Sequence, residues 1–283
     1  MEFQETRLNP HLIDDHLHLL QTCFPHSSIF SKAYLTWLYL DNPAGEVVGY
    51  DAFHEGQLAA TYVCIPTRAV LRGRPVRALL SLNTATAPNH RGKGLFTKLA
   101  ERCYAHAENT GYEVVFGVAN ASSIGGFSRK LGFQDVISLE ARVGIGPFPR
   151  IDFDQAYSQA EFRCDWDLER LTWRAGNPAG KLSLSRQSER IQICGATDFR
   201  LVNVQGELPL SSTVASTASL RPAPFRLHLG LAPRGTSRGG LSIAIPDKMK
   251  PSPLRLIYRN LSASDDRINS DSVFFQFIDF DAY

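Results

Sequence analysis

The sequence predicts an α/β (α+β) fold: a mixed, mostly antiparallel sheet flanked by helices, with a second, smaller, mostly-β lobe behind it. Three observations carry this. Alternating apolar runs between Val47 and Ala87 are broken only by tight turns, which gives three consecutive antiparallel strands. A basic glycine turn, Arg91-Gly92-Lys93-Gly94, then stands between the last of these strands and a long helical pattern. The second half has a different texture, with strand-like runs at Leu182–Arg186, Arg190–Cys194, Phe199–Val204, Phe225–Leu231, Leu241–Ile245, Leu254–Tyr258 and Val273–Phe280. At 283 residues the chain exceeds one average domain, and it divides as 1–148 and 149–283.

Taken in order, a short first strand precedes Asn9-Pro10, an N-cap followed by a first-turn proline, and the helix they open runs to about Cys23. His11, Asp15 and His18 share a face of it. Without a fourth ligand they read as solvated polarity, not as a metal site. Ser31 opens a second helix that carries Tyr34, Trp37 and Tyr39 and ends before Asn42-Pro43. Val47 to Phe53, Gln57 to Arg68 and Val76 to Ala87 are the three strands, turned at Glu55-Gly56 and at Arg72-Gly73-Arg74-Pro75. Leu95 to Asn109 is helical, with Leu95, Leu99, Cys103 and His106 on one side and Gly111 as the stop. Tyr112 to Val118 is a short buried strand. Asn120 and a short helix closing in Leu131-Gly132-Phe133 follow it.

Composition removes several classes of function. A net charge of +2 without a long basic stripe argues against a nucleic-acid binder. No run of about 18 apolar residues is present, and the N-terminus lacks the basic-then-apolar form of a signal peptide. Cys23, Cys64, Cys103, Cys164 and Cys194 are odd in number and lack Cys-x-x-Cys spacing, which fits reduced thiols and a cytoplasmic location.

The turn at Arg91 gathers backbone N–H groups and a helix N-terminus at one point, which suits a pyrophosphate. It is not a Walker loop, because Gly94 stands where Ser or Thr is needed, and it lacks the third glycine of the dinucleotide fingerprint. The segment resembles the GCN5-related N-acetyltransferase (GNAT) superfamily, whose acetyl-CoA loop reads Arg/Gln-x-x-Gly-x-Gly/Ala. Arg91, Gly92 and Gly94 match, while Phe96 replaces the final small residue. The strand, the asparagine and the helix ending Leu131-Gly132-Phe133 follow in the family's order. The resemblance covers roughly the first 145 residues. A weaker internal echo, Trp37 with Asn42-Pro43-Ala44-Gly45 against Trp173 with Asn177-Pro178-Ala179-Gly180, suggests a diverged second lobe of the same kind without the loop. Ser237-Arg238-Gly239-Gly240 reads as a connector.

The resemblance implies acetyl-CoA, or another short acyl-CoA, as co-substrate and a small-molecule amine, such as an amino sugar, as acceptor. It places pantetheine along Thr84, Ala85 and Thr86, and the pyrophosphate on the N–H groups of Gly92, Lys93, Gly94, Leu95 and Phe96. Asn120 would meet the pantetheine amide and Phe127 the same arm; a helix cap and plain core packing are the alternative roles for these two. The tyrosine that many members use to protonate the leaving thiolate is replaced at Ser128. Glu55, Asp51, His54, His90 and the C-terminal carboxylate of Tyr283 are candidates for a base, and none is singled out. Tyr34, Trp37 and Tyr39 would border the acceptor or pack in the core. The catalytic residues are therefore open at this stage, no metal is expected, and a pseudoenzyme that binds acyl-CoA without turnover is the alternative. An aminoacyl-transferase of related two-lobed fold finds little support in the composition.

Overall fold

The computed structural model describes residues 1–7, 10–145, 150–180, 182–187, 190–209, 220–238, 241–250, 252–263 and 265–280. Asn9, the expected boundary at 148, Gly239-Gly240 and Tyr283 lie outside the described residues, as does the side chain of His11.

The first half contains β1 (Glu2–Glu5), α1 (Pro10–Cys23), α2 (Lys32–Tyr39), β2 (Val48–His54), β3 (Gln57–Leu71), β4 (Arg74–Thr86), α3 (Leu95–Asn109), β5 (Val114–Ala119), α4 (Ile124–Lys130), β6 (Gln134–Ser138) and β7 (Glu140–Ile145). Next come β8 (Arg150–Ile151), α5 (Phe153–Gln159), β9 (Phe162–Cys164), α6 (Leu168–Ala175), β10 (Leu182–Gln187), β11 (Arg190–Ala196) and β12 (Val202–Leu208). The chain continues with β13 (Phe225–Leu231), β14 (Ser237–Arg238), β15 (Ser242–Ala244), β16 (Arg255–Asn260) and β17 (Val273–Gln276).

Local chemistry sets these boundaries. Ser31 caps α2 by accepting from Tyr34 N at 3.1 Å, and Gly111 at φ 83° ends α3. Along β3, Tyr62 and Cys64 face α3, where they meet Leu99, Cys103 and Tyr104. Val63 and Ile65 face the other way, onto Leu20, Leu35 and Tyr39 of α1 and α2. This two-residue alternation puts a helical layer on each side of the sheet, and β3 is correspondingly buried through its middle.

The structure moves two expected strands. The run expected at Phe199–Val204 begins at Val202, because the Thr197 hydroxyl accepts Phe199 N–H and donates to Val202 O, making a turn. The run expected to reach Phe280 stops at Gln276. The Asp279 carboxylate takes Gln276 N–H at 2.6 Å, and the chain coils into a 3-10 turn over Phe277–Asp279.

The two halves share one sheet of fifteen strands among the described residues, and they exchange strands. In the first half β2, β3 and β4 are antiparallel neighbours and β4 runs parallel to β5. The strand on the far side of β5 is β16, from near the C-terminus, which separates β5 from β6. In the second half β10, β11 and β12 are antiparallel neighbours and β12 runs parallel to β13. There the strand on the far side of β13 is β7, contributed by the first half, with β15 beyond it. Where these halves meet, Trp37 and Trp173 stack with centroids 4.7 Å apart. Each indole N–H donates to the other tryptophan's carbonyl, at 2.8 and 3.0 Å.

Candidate active site at the β4–β5 fork

Strands β4 and β5 pair at Ala78↔Val114, Leu79↔Val115 and Leu80↔Phe116, then part. Beyond that point β4 is a central strand that is only half buried from Leu80 to Thr86, apart from Ala85. A bulge lies on it: the register with β3 shifts between Thr61 and Val63, and Asn83 sits at φ 54° with its amide donating to the Tyr39 hydroxyl at 3.1 Å. Ala87 N–H bonds to Ala59 O, so Ala87 and, by strand parity, Ala85 turn their backbone groups toward β3. The Thr86 carbonyl faces the fork, where it accepts Cys23 Sγ and Arg91 Nε, each at 3.3 Å. Thr84 lies in the bulge with Asn83, where strand parity does not carry over. Of the three predicted strand residues, Thr86 therefore presents backbone to the fork. Ala85 does not, and its side chain packs under α1 and α2.

The turn at the end of β4 has the shape the sequence implied. After a 3-10 turn at Pro88–His90, Gly92 and Gly94 sit at φ 75° and 71°, a region other residues adopt only with strain. Gly94 is the N-cap of α3 and provides no side-chain cap, so the first-turn N–H groups, Leu95 and Phe96 among them, stand at an uncapped positive helix end. Lys93 Nζ donates to His90 Nδ1 at 3.1 Å, and the His90 and His54 rings lie 4.9 Å apart. Partial desolvation, Lys93 and His54 together push His90 below the usual histidine range, which fits a neutral ring accepting from the lysine.

Other predicted residues are placed as follows. Asn120 Oδ1 accepts from Ser122 N and Ser123 N at 3.0 and 3.1 Å, so its oxygen caps the turn into α4 on an exposed residue. Phe127 is buried, edge-on to Phe96 and Phe133. The Phe96 ring packs edge-on against Tyr62 and lies over Gly126, where an added Cβ would come within 3.0 Å of it. Ser128 donates to Ile124 O at 2.9 Å within its own helix.

Among the candidate bases, Asp51 is buried against His16 Nε2 at 3.1 Å and ties α1 to β2. Tyr34, Trp37 and Tyr39 are core residues. On the fork's opposite face, Leu80 and Leu82 meet Trp173, Ile278, Asp279 and Phe280 around a cavity of about 30 Å³. Trp166 Nε1 donates to Asp279 Oδ1 there at 2.7 Å, and burial pushes that carboxyl up to about 6. Asp15, His18 and Thr22 of α1 line a cleft of about 570 Å³ with Gln57, Asn89 and His90, beside the Arg91–Gly94 turn. No cluster of three or more His, Cys, Asp or Glu suited to a metal occurs among the described residues, and no described helix is long and apolar enough to cross a membrane.

What the sequence did not single out is a chain of hydroxyls under the fork. Ser81 Oγ is 2.8 Å from Tyr62 Oη, which is 2.5 Å from Tyr104 Oη. The only trace of it in the sequence is two tyrosines at otherwise apolar positions of a strand and a helix.

Residues 6–136 match the family described as acetyltransferase (GNAT) domain. No curated protein matches the sequence. Among solved structures, the chain resembles a GCN5-related N-acetyltransferase from Kribbella flavida, with a TM-score of 0.60 and 11% identity over 92% of this chain and 71% of that one. It is similar also to a GCN5-related N-acetyltransferase from Anabaena variabilis ATCC 29413, with a TM-score of 0.59 and 14% identity over 92% and 73%. At these identities the likeness speaks for the fold, and it extends over both halves of the chain.

Proposed function

We propose that this chain, whose residues 6–136 form a GNAT acetyltransferase domain, is an acyl-CoA-dependent N-acyltransferase that moves an acetyl group to the amine of a small molecule. The observation that carries this reading is the fork itself. A central strand presents the Thr86 backbone at the parted edge and leads through the Arg91–Gly94 turn into an uncapped helix N-terminus. An extended amide chain completes the strand edge, and a diphosphate completes the helix end. Pantetheine joined to a pyrophosphate has both parts in that order. Binding asks Arg91 to exchange the Thr86 carbonyl for phosphate oxygens, with Lys93 beside it.

In the reaction the neutral amine forms the N–C bond, the C–S bond breaks, and its electron pair leaves on sulfur. A β4 N–H near Thr86 would donate to the thioester oxygen. An amino sugar is the acceptor we would test first, because the sequence from Asn120 to Phe133 is similar to that of superfamily members linked to surface-polysaccharide amino sugars. Calorimetry with acetyl-CoA tests the cofactor reading. The double variant Arg91→Ala/Lys93→Ala should lose about 1.5–3 kcal/mol per contact, a weakening of roughly a hundredfold or more. Unchanged affinity would refute it.

The back-bonded Ser128 favours a second reading, a binding protein without turnover. Thiol release across a panel of amines and amino sugars separates the two.

We infer further that the C-terminal part is a diverged copy of the first lobe. The support is the matched strand order, the reciprocal exchange of β7 and β16, and the tryptophan pair at the join. The Asn-Pro-Ala-Gly echo folds alike in both places: Asn42 Oδ1 accepts Ala44 N at 3.0 Å, and Asn177 Oδ1 accepts Ala179 N at 2.9 Å.

A further inference from the structure

Ser81 is the first residue of β4 past its last pairing with β5, at the apex of the fork. Gly117 stands opposite, and a Cβ there would lie 3.2 Å from the Ser81 carbonyl oxygen, so the apex is narrow and the serine is at it. Ser81 is half buried, whereas Leu79, two residues earlier on the same face, is fully buried. Its hydroxyl begins a chain that runs inward to Tyr62 on β3 and ends at Tyr104 on α3.

The inner end fixes the direction of that chain. Tyr104 is buried, and its hydroxyl has one partner among the described residues, Tyr62. The Arg259 guanidinium, 4.9 Å from the ring centroid, has donors only, and the Cys64 and Cys103 thiols are the other titratable groups beside this phenol. A buried O–H left without an acceptor costs about 1–3 kcal/mol. Tyr104 must therefore donate to Tyr62, Tyr62 must donate to Ser81, and the Ser81 hydrogen is left to point into the fork. Burial holds both phenols well above the usual tyrosine range, so both keep the hydrogens this order needs.

We propose that Ser81 is a catalytic residue whose hydroxyl, held as an obligate donor by Tyr62 and Tyr104, hydrogen-bonds the sulfur of the coenzyme as it becomes a thiolate. The proposal rests on the acyl-CoA reading above. It supplies what Ser128 does not, on the α3–α4 side of the sheet where that helix lies. Ser81 transfers no proton of its own. The proton lost by the amine ends on the thiolate through solvent, and the serine stabilises the anion meanwhile. Tyr62 and Tyr104 are positioning residues and touch no reacting atom.

Bound CoA tests this without any acceptor. The ultraviolet absorbance of its thiolate is followed against pH in the native protein, Ser81→Ala, Tyr104→Phe and the double variant, each corrected for the unliganded protein. A donor to the thiolate lowers the bound thiol's pKa. Ser81→Ala should raise it by about one to two pH units, at unchanged CoA stoichiometry. Tyr104→Phe frees the chain to reverse and should raise it by a smaller amount, and it should do nothing further in the Ser81→Ala background. An unmoved pKa in Ser81→Ala, or an equal effect of Tyr104→Phe with and without Ser81, overturns the proposal. Failure of the native protein to bind CoA at all is a different result: it removes the acyl-CoA reading and this inference with it.

Discussion

The sheet has two forks of similar construction and different fate. At the first, β4 and β5 part after Leu80↔Phe116, and β4 stays half exposed through Thr86. At the second, β12 and β13 part after Val204↔Leu227, yet β12 is buried from Asn203 to Gly206. The filling is the chain's own. Strand β17 pairs with β13 at Gly230↔Gln276 and Leu231↔Phe275. The Gln276 side chain then reaches the opposite arm, accepting Glu207 N–H at 3.0 Å and donating to Glu207 O at 2.8 Å. A side-chain amide thus does at the second fork what a pantetheine amide would do at Thr86. A parted pair of strands is an amide-binding site only while no local segment satisfies its edge.

The largest effect that would break this comparison comes from closing the forks with a methyl group. At Gly230 an added Cβ overlaps the Phe275 carbonyl oxygen, which is backbone and cannot yield. Gly230→Ala should cost about 3 kcal/mol or more, read as a lower denaturation midpoint. At Gly117 the same methyl meets the Ser81 oxygen at 3.2 Å, so stability should fall by only about 1 kcal/mol while CoA binding weakens roughly tenfold. If the two variants behave alike, the forks do not differ in the way described.

A middle-sized effect sharpens it. Gln276→Ala leaves the Glu207 N–H and C=O without their partner and should cost about 1–3 kcal/mol. CoA stoichiometry should stay at one, because the sequence after the second fork has no glycine between Gly206 and Gly230 and so no counterpart of the Arg91–Gly94 turn to receive a diphosphate. Two bound CoA molecules in that variant, by calorimetry, would mean the second fork is a masked site.

The sequence made the first fork legible because its chemistry is local. Arg91, Gly92 and Gly94 lie within four residues, and φ values near 70° at both glycines are what the spacing asks for. Asn120 and the helix ending at Phe133 follow at short range for the same reason. The second fork was not legible. Gln276 and Glu207 are far apart in sequence, and neither side-chain type marks a strand pairing. Strand exchange was hidden likewise, since β7 and β16 have ordinary apolar patterns that do not say which sheet they join. The Trp37–Trp173 echo was the one long-range signal visible in advance. The hydroxyl chain was missed because Tyr62 and Tyr104 look like any core aromatics until the fold brings their oxygens together.

An effect that for His228 vanishes at neutral pH concerns two buried histidines, one per half, whose titrations have opposite sign. Burial alone would pull His16 down, but the hydrogen bond and charge of Asp51, with Leu12 O at 2.8 Å, outweigh it and its pKa is raised. Its stabilisation is present in full below about pH 6.5 and is lost as pH rises through the folded value. His228 is the reverse. It lies beside the second fork, lining a cavity of about 10 Å³ with Gln205, Glu207 and Gln276, and neither ring nitrogen has a partner among the described residues. Burial first, then the Arg142 charge, lowers it to about 4. Above pH 6.5 the ring is neutral in the folded and the unfolded chain and adds no pH dependence, and stability is lost as pH falls from there toward 4, by about 2 kcal/mol at pH 5. Glu207, raised by burial, works in the opposite direction over part of that range, so the difference between variants isolates the histidine. His228→Leu should flatten the fall in Tm between pH 6.5 and 4.5 and leave the behaviour above pH 7 to His16. An identical acid slope in that variant would show that the second fork admits solvent to the ring, and that it is less completely filled than the pairing of Gln276 with Glu207 implies.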